Sequence, residues 1–170
     1  MYIILARRKK FYAKLICKLL NAPVMHAFII YKDVFWNVWM ALEIDEQGTR
    51  ICLFDSIKNN YDYFEYYRCP TCCFYLLPVM KTHLNKKYDY LKLIINIGRL
   101  IVDKLFKKKI LKTFDRTSKF ICTEFVTFFL KKTGIVDTQN LIPSLTSPKT
   151  LQTFLQKNEQ FIKTKNPTIV

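Results

Sequence analysis

The order of hydrophobic patterns along the chain is the feature that most restricts its fold. Short apolar segments typical of strands come first, at "MYIILA", at "MHAFIIYK" and at "VWMALEIDEQGTRICLFDSI", which is predicted to form a hairpin at "EQG". The aromatic stretch "YFEYYRCPTCCFYLL" indicates a further strand, and the amphipathic segment "RRKKFYAKLICKLLN" a helix between the first two. Helical spacing dominates after Pro78 and again after Cys122. Consecutive strands followed by helices predict an α+β fold, with an antiparallel sheet packed against helices.

The length of 170 residues is typical of one domain. We predict that residues 1–163 form this single domain and that residues 164–170 form a frayed tail.

No segment of the chain is predicted to cross a membrane. The longest apolar runs are short or interrupted by Lys92, Asn96 and Arg99, and a membrane span requires roughly 18 uninterrupted apolar residues. The first charged residues follow the first apolar ones, which is the reverse of the order in a signal peptide. We therefore expect a cytoplasmic protein whose cysteines are reduced.

The net charge of +15 is large for a chain of this length, and lysines contribute most of it. Such a charge favours polyanionic partners, either nucleic acid or an anionic membrane surface. A lysine-rich solvated surface is the simpler interpretation. No zinc finger, basic zipper or aromatic RNA-binding motif accompanies the lysines, so the charge alone does not indicate a nucleic-acid reader.

The segment "RCPTCC" has the C-x-x-C spacing of a metal knuckle at Cys69 and Cys72, with Cys73 beside them. Tetrahedral zinc needs four ligands, and the sequence has no second C-x-x-C and no H-x-x-x-H to supply the others. We predict no metal and no cofactor, and expect these cysteines to pack as small apolar side chains along a strand.

Cys122 lies where a short polar run gives way to the apolar segment "FVTFFL". If Thr117 or Ser118 begins the helix, Cys122 falls in or near its first turn, where the helix dipole and backbone N–H groups favour a thiolate. The same position suits a cysteine that is packed in the core, so a base must be sought elsewhere in the chain.

The chain has two histidines that could serve as this base. His83 lies in a polar stretch and is expected at the surface, whereas His26 begins an apolar strand. Glu43 lies among apolar residues of the next predicted strand, where a carboxylate is costly unless it is paired. A histidine on the neighbouring strand is a natural partner for Glu43, and Asn37 or Asp45 could take the same role after a small change of register.

The order of these segments resembles that of the permuted papain-like cysteine hydrolases, including the YiiX/YaeF-like branch of the NlpC superfamily. The resemblance covers roughly residues 1–155 and is sharpest at "FICTEFV" and next at "PVMHAFIIY". In that family a strand carries the base histidine, a polar residue follows on the next strand, and the nucleophilic cysteine comes last, at a helix start. The family often has glycine two positions after the histidine, whereas this chain reads "HAF".

The resemblance implies a circularly permuted papain-like fold and an enzyme that acts on an amide or ester bond, as a cysteine hydrolase or acyltransferase. It implies Cys122 as nucleophile, His26 as general base and Glu43 as the residue that orients His26. The substrate class stays open among peptides, cell-wall amides and lipids. The alternative is a catalytically silent module of the same fold, whose basic surface holds nucleic acid, a membrane or a virion or protein assembly.

Overall fold

The computed structural model describes residues 1–45, 47–69, 76–84, 87–89, 121–133 and 141–167, together with positions 95, 98, 102 and 138. In this part of the chain, six strands form one sheet in the order β4-β3-β2-β1-β5-β6, and every neighbouring pair is antiparallel. The strands are β1 (Tyr2–Arg8), β2 (His26–Asp33), β3 (Val38–Asp45), β4 (Gly48–Leu53), β5 (Tyr61–Arg68) and β6 (Ile162–Thr164).

The helices of the described residues all lie between these strands in the sequence. They are α1 (Phe11–Leu20), α2 (Phe54–Ile57), α3 (Leu76–His83), α4 (Cys122–Lys132) and α5 (Pro148–Lys157), with short 3₁₀ turns at Lys58–Asn60 and Pro143–Leu145. The α+β class and the antiparallel sheet that the sequence predicts are confirmed.

Apolar side chains cover both faces of the sheet. On one face, residues of β1, β2 and β3 pack against α4 and α5, and the other face packs against α2 and the start of β5. This is why β1 and β2 are nearly continuous apolar runs rather than alternating ones. Phe125 and Phe129 of α4 are fully buried in the first face, and each such burial stabilises the fold by roughly 1.5–3 kcal/mol. Helix α4 is thereby fixed against the centre of the sheet.

The hairpin predicted at "EQG" is confirmed, since β3 and β4 pair from Asp45 opposite Gly48 to Met40 opposite Leu53. Gly48 has a positive φ of 97°, a conformation that residues with a side chain rarely adopt.

Three details of the predicted elements differ from the structure. The helix that carries Cys122 begins at Cys122 itself, because Ile121 before it is extended, with φ −101° and ψ 161°, and not at Thr117 or Ser118. Strand β5 ends at Arg68, before the cysteine cluster that we expected it to include. Thr164, where we expected the frayed tail to start, pairs with Tyr66 in β6.

Cys69 is the described member of the "RCPTCC" cluster, and Cys72 and Cys73 lie outside the described residues. Cys69 is fully buried and disulfide-bonded, so the expectation of reduced cysteines is wrong at this position. Cys17, Cys52 and Cys122 are free thiols.

Candidate active site

Cys122 is the first residue of α4 and lies against the start of β2. Its Sγ is 3.9 Å from the carbonyl oxygen of Met25, and the backbone N–H groups of Ala27 and Thr123 hydrogen-bond to the sulfur. The Glu124 carboxylate accepts a hydrogen bond of 3.3 Å from the Ile121 N–H and so satisfies a backbone donor at the helix start. Cys122 is 4% exposed. The fold therefore places this thiol at a helix N-terminus, as expected.

His26, the first residue of β2, is buried and hydrogen-bonds to Cys122. Its ring stacks on that of Tyr61, with centroids 5.7 Å apart and an interplanar angle of 13°, and also lies 5.6 Å from the ring of Phe28. These contacts hold the imidazole in one orientation beside the thiol.

Glu43 on β3 is the acidic partner of His26. Its Oε2 lies 3.5 Å from His26 Nε2, which is an ion-pair distance, longer than an ordinary hydrogen bond. That nitrogen is buried and has no closer hydrogen-bond partner among the described residues. Long contacts of this kind are common in active sites without substrate, and they shorten when substrate binds.

The two carboxylate oxygens of Glu43 have different partners. Oε1 accepts hydrogen bonds from Arg50 Nε at 3.1 Å and Arg50 Nη2 at 2.6 Å. Oε2, which faces His26, also accepts a hydrogen bond of 3.2 Å from the Tyr61 hydroxyl. Arg50 and Tyr61 thus determine how the carboxylate is presented to His26.

The electrostatics of the three groups favour charged forms. Burial alone would raise the pKa of the Cys122 thiol, but the charge and hydrogen bond of His26 and the two backbone donors lower it below its ordinary value. Burial would likewise lower the pKa of His26, yet Cys122 and then Glu43 raise it to about 9. His26 and Arg50 outweigh burial at Glu43 and lower its pKa to about 2. The shifts therefore favour the charged form of each group, namely thiolate at Cys122, imidazolium at His26 and carboxylate at Glu43.

The other candidates for the third residue lie elsewhere. Asn37 is in the exposed turn between β2 and β3, with a positive φ of 54°. Asp45 is paired instead with Arg50 at 2.9 Å and with Arg8 at 3.5 Å. The side chain of His83, at the end of α3, lies outside the described residues.

Sequence reasoning missed Arg50 and Tyr61. Arg50 could have been predicted from the sequence, because a hairpin that turns at "EQG" places Arg50 directly opposite Glu43. Tyr61 carried no such signal, since β5 is next to β1 in the sheet and only the tertiary fold brings Tyr61 to His26. A polar cavity of about 360 Å³ adjoins Glu43 and Tyr61 on the side of Arg8, Lys9 and Lys10.

The described residues hold no candidate metal cluster and no candidate membrane span. They contain no group of three or more His, Cys, Asp or Glu side chains that could hold a metal ion. None of the helices in the described ranges is long and apolar enough to span a bilayer.

Comparison with known proteins shows similarity of fold. No model of a protein family matches the chain, and no curated protein matches it. Among solved structures, the chain is similar to the crystal structure of the metalloprotein YiiX from Escherichia coli O157:H7, a DUF1105 protein. The TM-score is 0.53 and the identity is 11%, over 99% of this chain and 97% of that one. At this identity the likeness concerns the fold, and it agrees with the YiiX-like architecture that the sequence predicts.

Proposed function

We propose that this protein is a cysteine hydrolase or acyltransferase that acts on an amide or ester bond. Cys122 is the nucleophile, His26 the general base and Glu43 the residue that orients His26. The observation that supports this proposal is the chain of contacts from the Cys122 thiol through the His26 ring to the Glu43 carboxylate. These three residues come from three different elements, and each needs a partner where it is buried.

The reaction follows from this arrangement. The Cys122 thiolate attacks the carbonyl carbon, and the imidazolium of His26 gives its proton to the departing amine or alcohol. The acyl group then remains on Cys122 as a thioester. In the second step, His26 accepts a proton from water or from an acceptor alcohol or amine, which attacks the thioester and releases Cys122 as thiolate. Glu43 stabilises the charged imidazolium in both steps.

The start of α4 supplies the electrostatic part of the mechanism. The first N–H groups of a helix have no acceptor within the helix, and they point past its N-terminus. The carbonyl oxygen of a substrate held at Cys122 develops negative charge close to these groups, which therefore stabilise the tetrahedral intermediate.

The YiiX-like fold agrees with a permuted papain-like architecture, in which the base histidine precedes the nucleophile along the chain. Here His26 comes first, Glu43 second and Cys122 last. The substrate we propose contains an amide or ester, in a peptide, a cell-wall component or a lipid.

The first test is the pH dependence of alkylation by iodoacetamide, with each cysteine mapped by mass spectrometry. Cys122 has a lowered pKa, so its alkylation rate should fall much less than that of an unactivated thiol as the pH is lowered from about 9 to neutrality. Cys52 is the matched control, because it is more exposed than Cys122 but burial and Glu43 raise its pKa to about 11. Its rate should fall about tenfold per pH unit over the same range.

The variant His26→Ala should slow alkylation of Cys122 at neutral pH by at least about tenfold, because a buried thiol without the imidazolium has a raised pKa. Cys52 should react as before. If Cys122 titrates like Cys52 in the native protein, the thiol is not activated and the proposal is wrong.

The second candidate function is a catalytically silent module of the same fold. The observation that favours it is the near-complete burial of Cys122 and His26, which are 4% and 6% exposed. Under this alternative, Cys122 resists iodoacetamide at every pH while the protein stays folded, so the same experiment distinguishes the two functions.

A further inference from the structure

The turn between β2 and β3 presents three consecutive apolar side chains to solvent. Val34, Phe35 and Trp36 are 95%, 85% and 71% exposed. Single exposed apolar residues are ordinary, but a contiguous apolar group at the tip of a hairpin marks an interaction site.

The fold holds this hairpin tip, Val34–Trp36, in a defined shape. The Asp33 carboxylate accepts hydrogen bonds from the N–H groups of Phe35 at 3.0 Å and Trp36 at 2.9 Å. Asn37 closes the turn with a φ of 54°, and the rings of Phe35 and Trp36 pack edge to face, 5.0 Å apart. Two backbone donors of the tip are thereby satisfied within the turn itself. Insertion of the tip into an apolar medium consequently leaves neither of them unpaired.

Two cations, Lys32 and Arg68, lie around the hairpin tip and outnumber its one carboxylate, Asp33, which the N–H groups of the turn already bind. Lys32, at the base of the hairpin, lies 5.6 Å from the ring centre of Trp39 and carries its charge close to the tip. Arg68 is at the same end of the sheet, because it pairs with Tyr2, which in turn pairs with Ile30. The whole chain carries a net charge of +15. Phenylalanine and tryptophan side chains at the tip, with the cations Lys32 and Arg68 behind them, match the interfacial zone of a bilayer with acidic headgroups.

A folded protein partner fits this feature less well. Stable protein–protein interfaces bury about 800 Å² on each partner and need a broad complementary surface, whereas the hairpin tip is convex and three residues long. A lipid surface can rearrange around an inserted group as small as the hairpin tip.

We propose that the hairpin tip inserts into the interfacial zone of an anionic bilayer, with Phe35 and Trp36 as its anchors. His26 begins β2 and Asp33 ends it, and eight residues of strand span about 23 Å. The inserted tip therefore holds the Cys122 end of the sheet away from the lipid surface. Membrane docking by this route is independent of the proposed hydrolase activity.

The test is flotation of the full-length protein with phosphatidylcholine vesicles that contain or lack phosphatidylserine. The wild type should float with the anionic vesicles, and the tryptophan fluorescence, to which Trp36 and Trp39 contribute, should shift to shorter wavelength. The double variant Phe35→Ser, Trp36→Ser should reduce binding by about tenfold or more. The matched control is Phe11→Ser, Leu15→Ser, which removes two exposed apolar side chains of α1 and should bind within about twofold of the wild type.

Circular dichroism should show that the variants fold, because the changed side chains are exposed. Three results would overturn the proposal: no binding of the wild type to anionic vesicles, equal loss in both double variants, or equal binding to vesicles without phosphatidylserine. Sedimentation velocity adds a fourth. If the tip variant abolishes self-association of the wild type, the tip binds a second copy of the chain and not a bilayer.

Discussion

At the scale of single residues, Glu43 is the side chain whose surroundings explain most about the site. Its carboxylate is 1% exposed and is held on both oxygens, by Arg50 on one and by Tyr61 and His26 on the other. Arg50 also bonds to Asp45, so it remains paired when Glu43 loses its charge. The charge of Glu43 can therefore be removed without leaving a buried cation alone.

We expect Glu43→Gln to fold normally and to lose reactivity at Cys122. The amide fills the same volume but removes the charge that helps to raise the pKa of His26 to about 9. The pKa of His26 should fall, so the imidazolium should stabilise the Cys122 thiolate less and the pH range of fast Cys122 alkylation should narrow from its acidic side. Turnover of a substrate, once one is found, should slow by about one to four orders of magnitude.

Asp45→Asn is the matched control for this prediction. Asp45 lies on the same face of β3 and shares Arg50, but the side chains that raise the pKa of His26 are Cys122 and Glu43. The substitution Asp45→Asn should leave the alkylation rate of Cys122 within about threefold of the wild-type rate at each pH. A narrowed profile in Asp45→Asn with an unchanged one in Glu43→Gln would make Asp45 the orienting residue.

The sequence indicates candidate residues for the site, but it does not indicate which of them contact one another. Alternation with a period of two places Asn37, Glu43 and Asp45 on one face of a strand, which is why all three stayed open. Only the register of the sheet and the turn at Asn37 place Glu43 next to His26. Tyr61 was beyond prediction, because its contact with His26 depends on strands that are distant in sequence.

At the scale of elements, one buried carboxylate ties the last two elements of the chain to the sheet. Glu65 on β5 accepts hydrogen bonds from Gln152 of α5 at 2.9 Å and from Lys163 of β6 at 2.8 Å. The hydroxyls of Tyr63 and Tyr67 add two more, at 2.9 Å and 2.8 Å. Strand β6 is short and mostly exposed, so pairing with β5 and the Lys163 contact account for its position.

We expect Glu65→Gln to reduce the free energy of unfolding at neutral pH by about 1–3 kcal/mol, because an amide cannot accept all four donors. Burial would raise the pKa of Glu65, but Lys163, Gln152 and the tyrosines lower it below its ordinary value. A carboxyl group with a lowered folded-state pKa stabilises the fold above its unfolded-state pKa, and this stability is lost as the pH falls through the folded-state pKa. The difference between wild type and variant should therefore shrink on acidification, as measured by urea unfolding.

The control for this prediction is Asp55→Asn, which removes an exposed carboxylate that pairs with Lys58. Its effect should stay within about 0.5 kcal/mol at every pH. A constant difference between Glu65→Gln and the wild type from neutral to acid pH would show that the Glu65 charge does not stabilise β6 and α5.

The element boundaries that sequence reasoning missed share one cause. Strand β6 and the start of α4 depend on partners far away in the chain, Tyr66 for the first and the sheet surface for the second. The hairpin at "EQG" and helix α1 depend mainly on local signals, such as the turn glycine and the apolar spacing, and these were predicted.

At the scale of the whole molecule, the fold pairs much of its negative charge internally. Glu43, Asp45, Asp62 and Glu65 each form an ion pair with arginine or lysine in the described residues. Described lysines such as Lys9, Lys18, Lys131 and Lys157 are exposed, and in a chain with a net charge of +15 they form a positive surface.

We expect this surface to bind nucleic acid weakly and without regard to sequence. Fluorescence anisotropy with labelled single-stranded DNA should show affinity that falls steeply between about 50 and 200 mM salt, as phosphate contacts release counterions. Cys122→Ala and the tip variant Phe35→Ser, Trp36→Ser should bind as the wild type does. Binding that persists at high salt or prefers one sequence would instead indicate a specific nucleic-acid site.

Sequence patterns established the class of the fold but not the order of its strands. β1 lies in the interior of the sheet, between β2 and β5, because pairing is decided by long-range packing that periodicity does not encode. The nearly continuous apolar runs of β1 and β2 did indicate that both faces of the sheet are buried.

The late position of Cys122 in the sequence determines when, during synthesis, the candidate site can assemble. The thiol comes 97 residues after Met25, whose carbonyl oxygen it contacts, whereas His26 and Glu43 emerge early on neighbouring strands. A chain that ends before α4 carries the proposed base without the proposed nucleophile. Under the proposed function, the growing polypeptide therefore holds no activated thiol until α4 has left the exit tunnel and docked on the sheet.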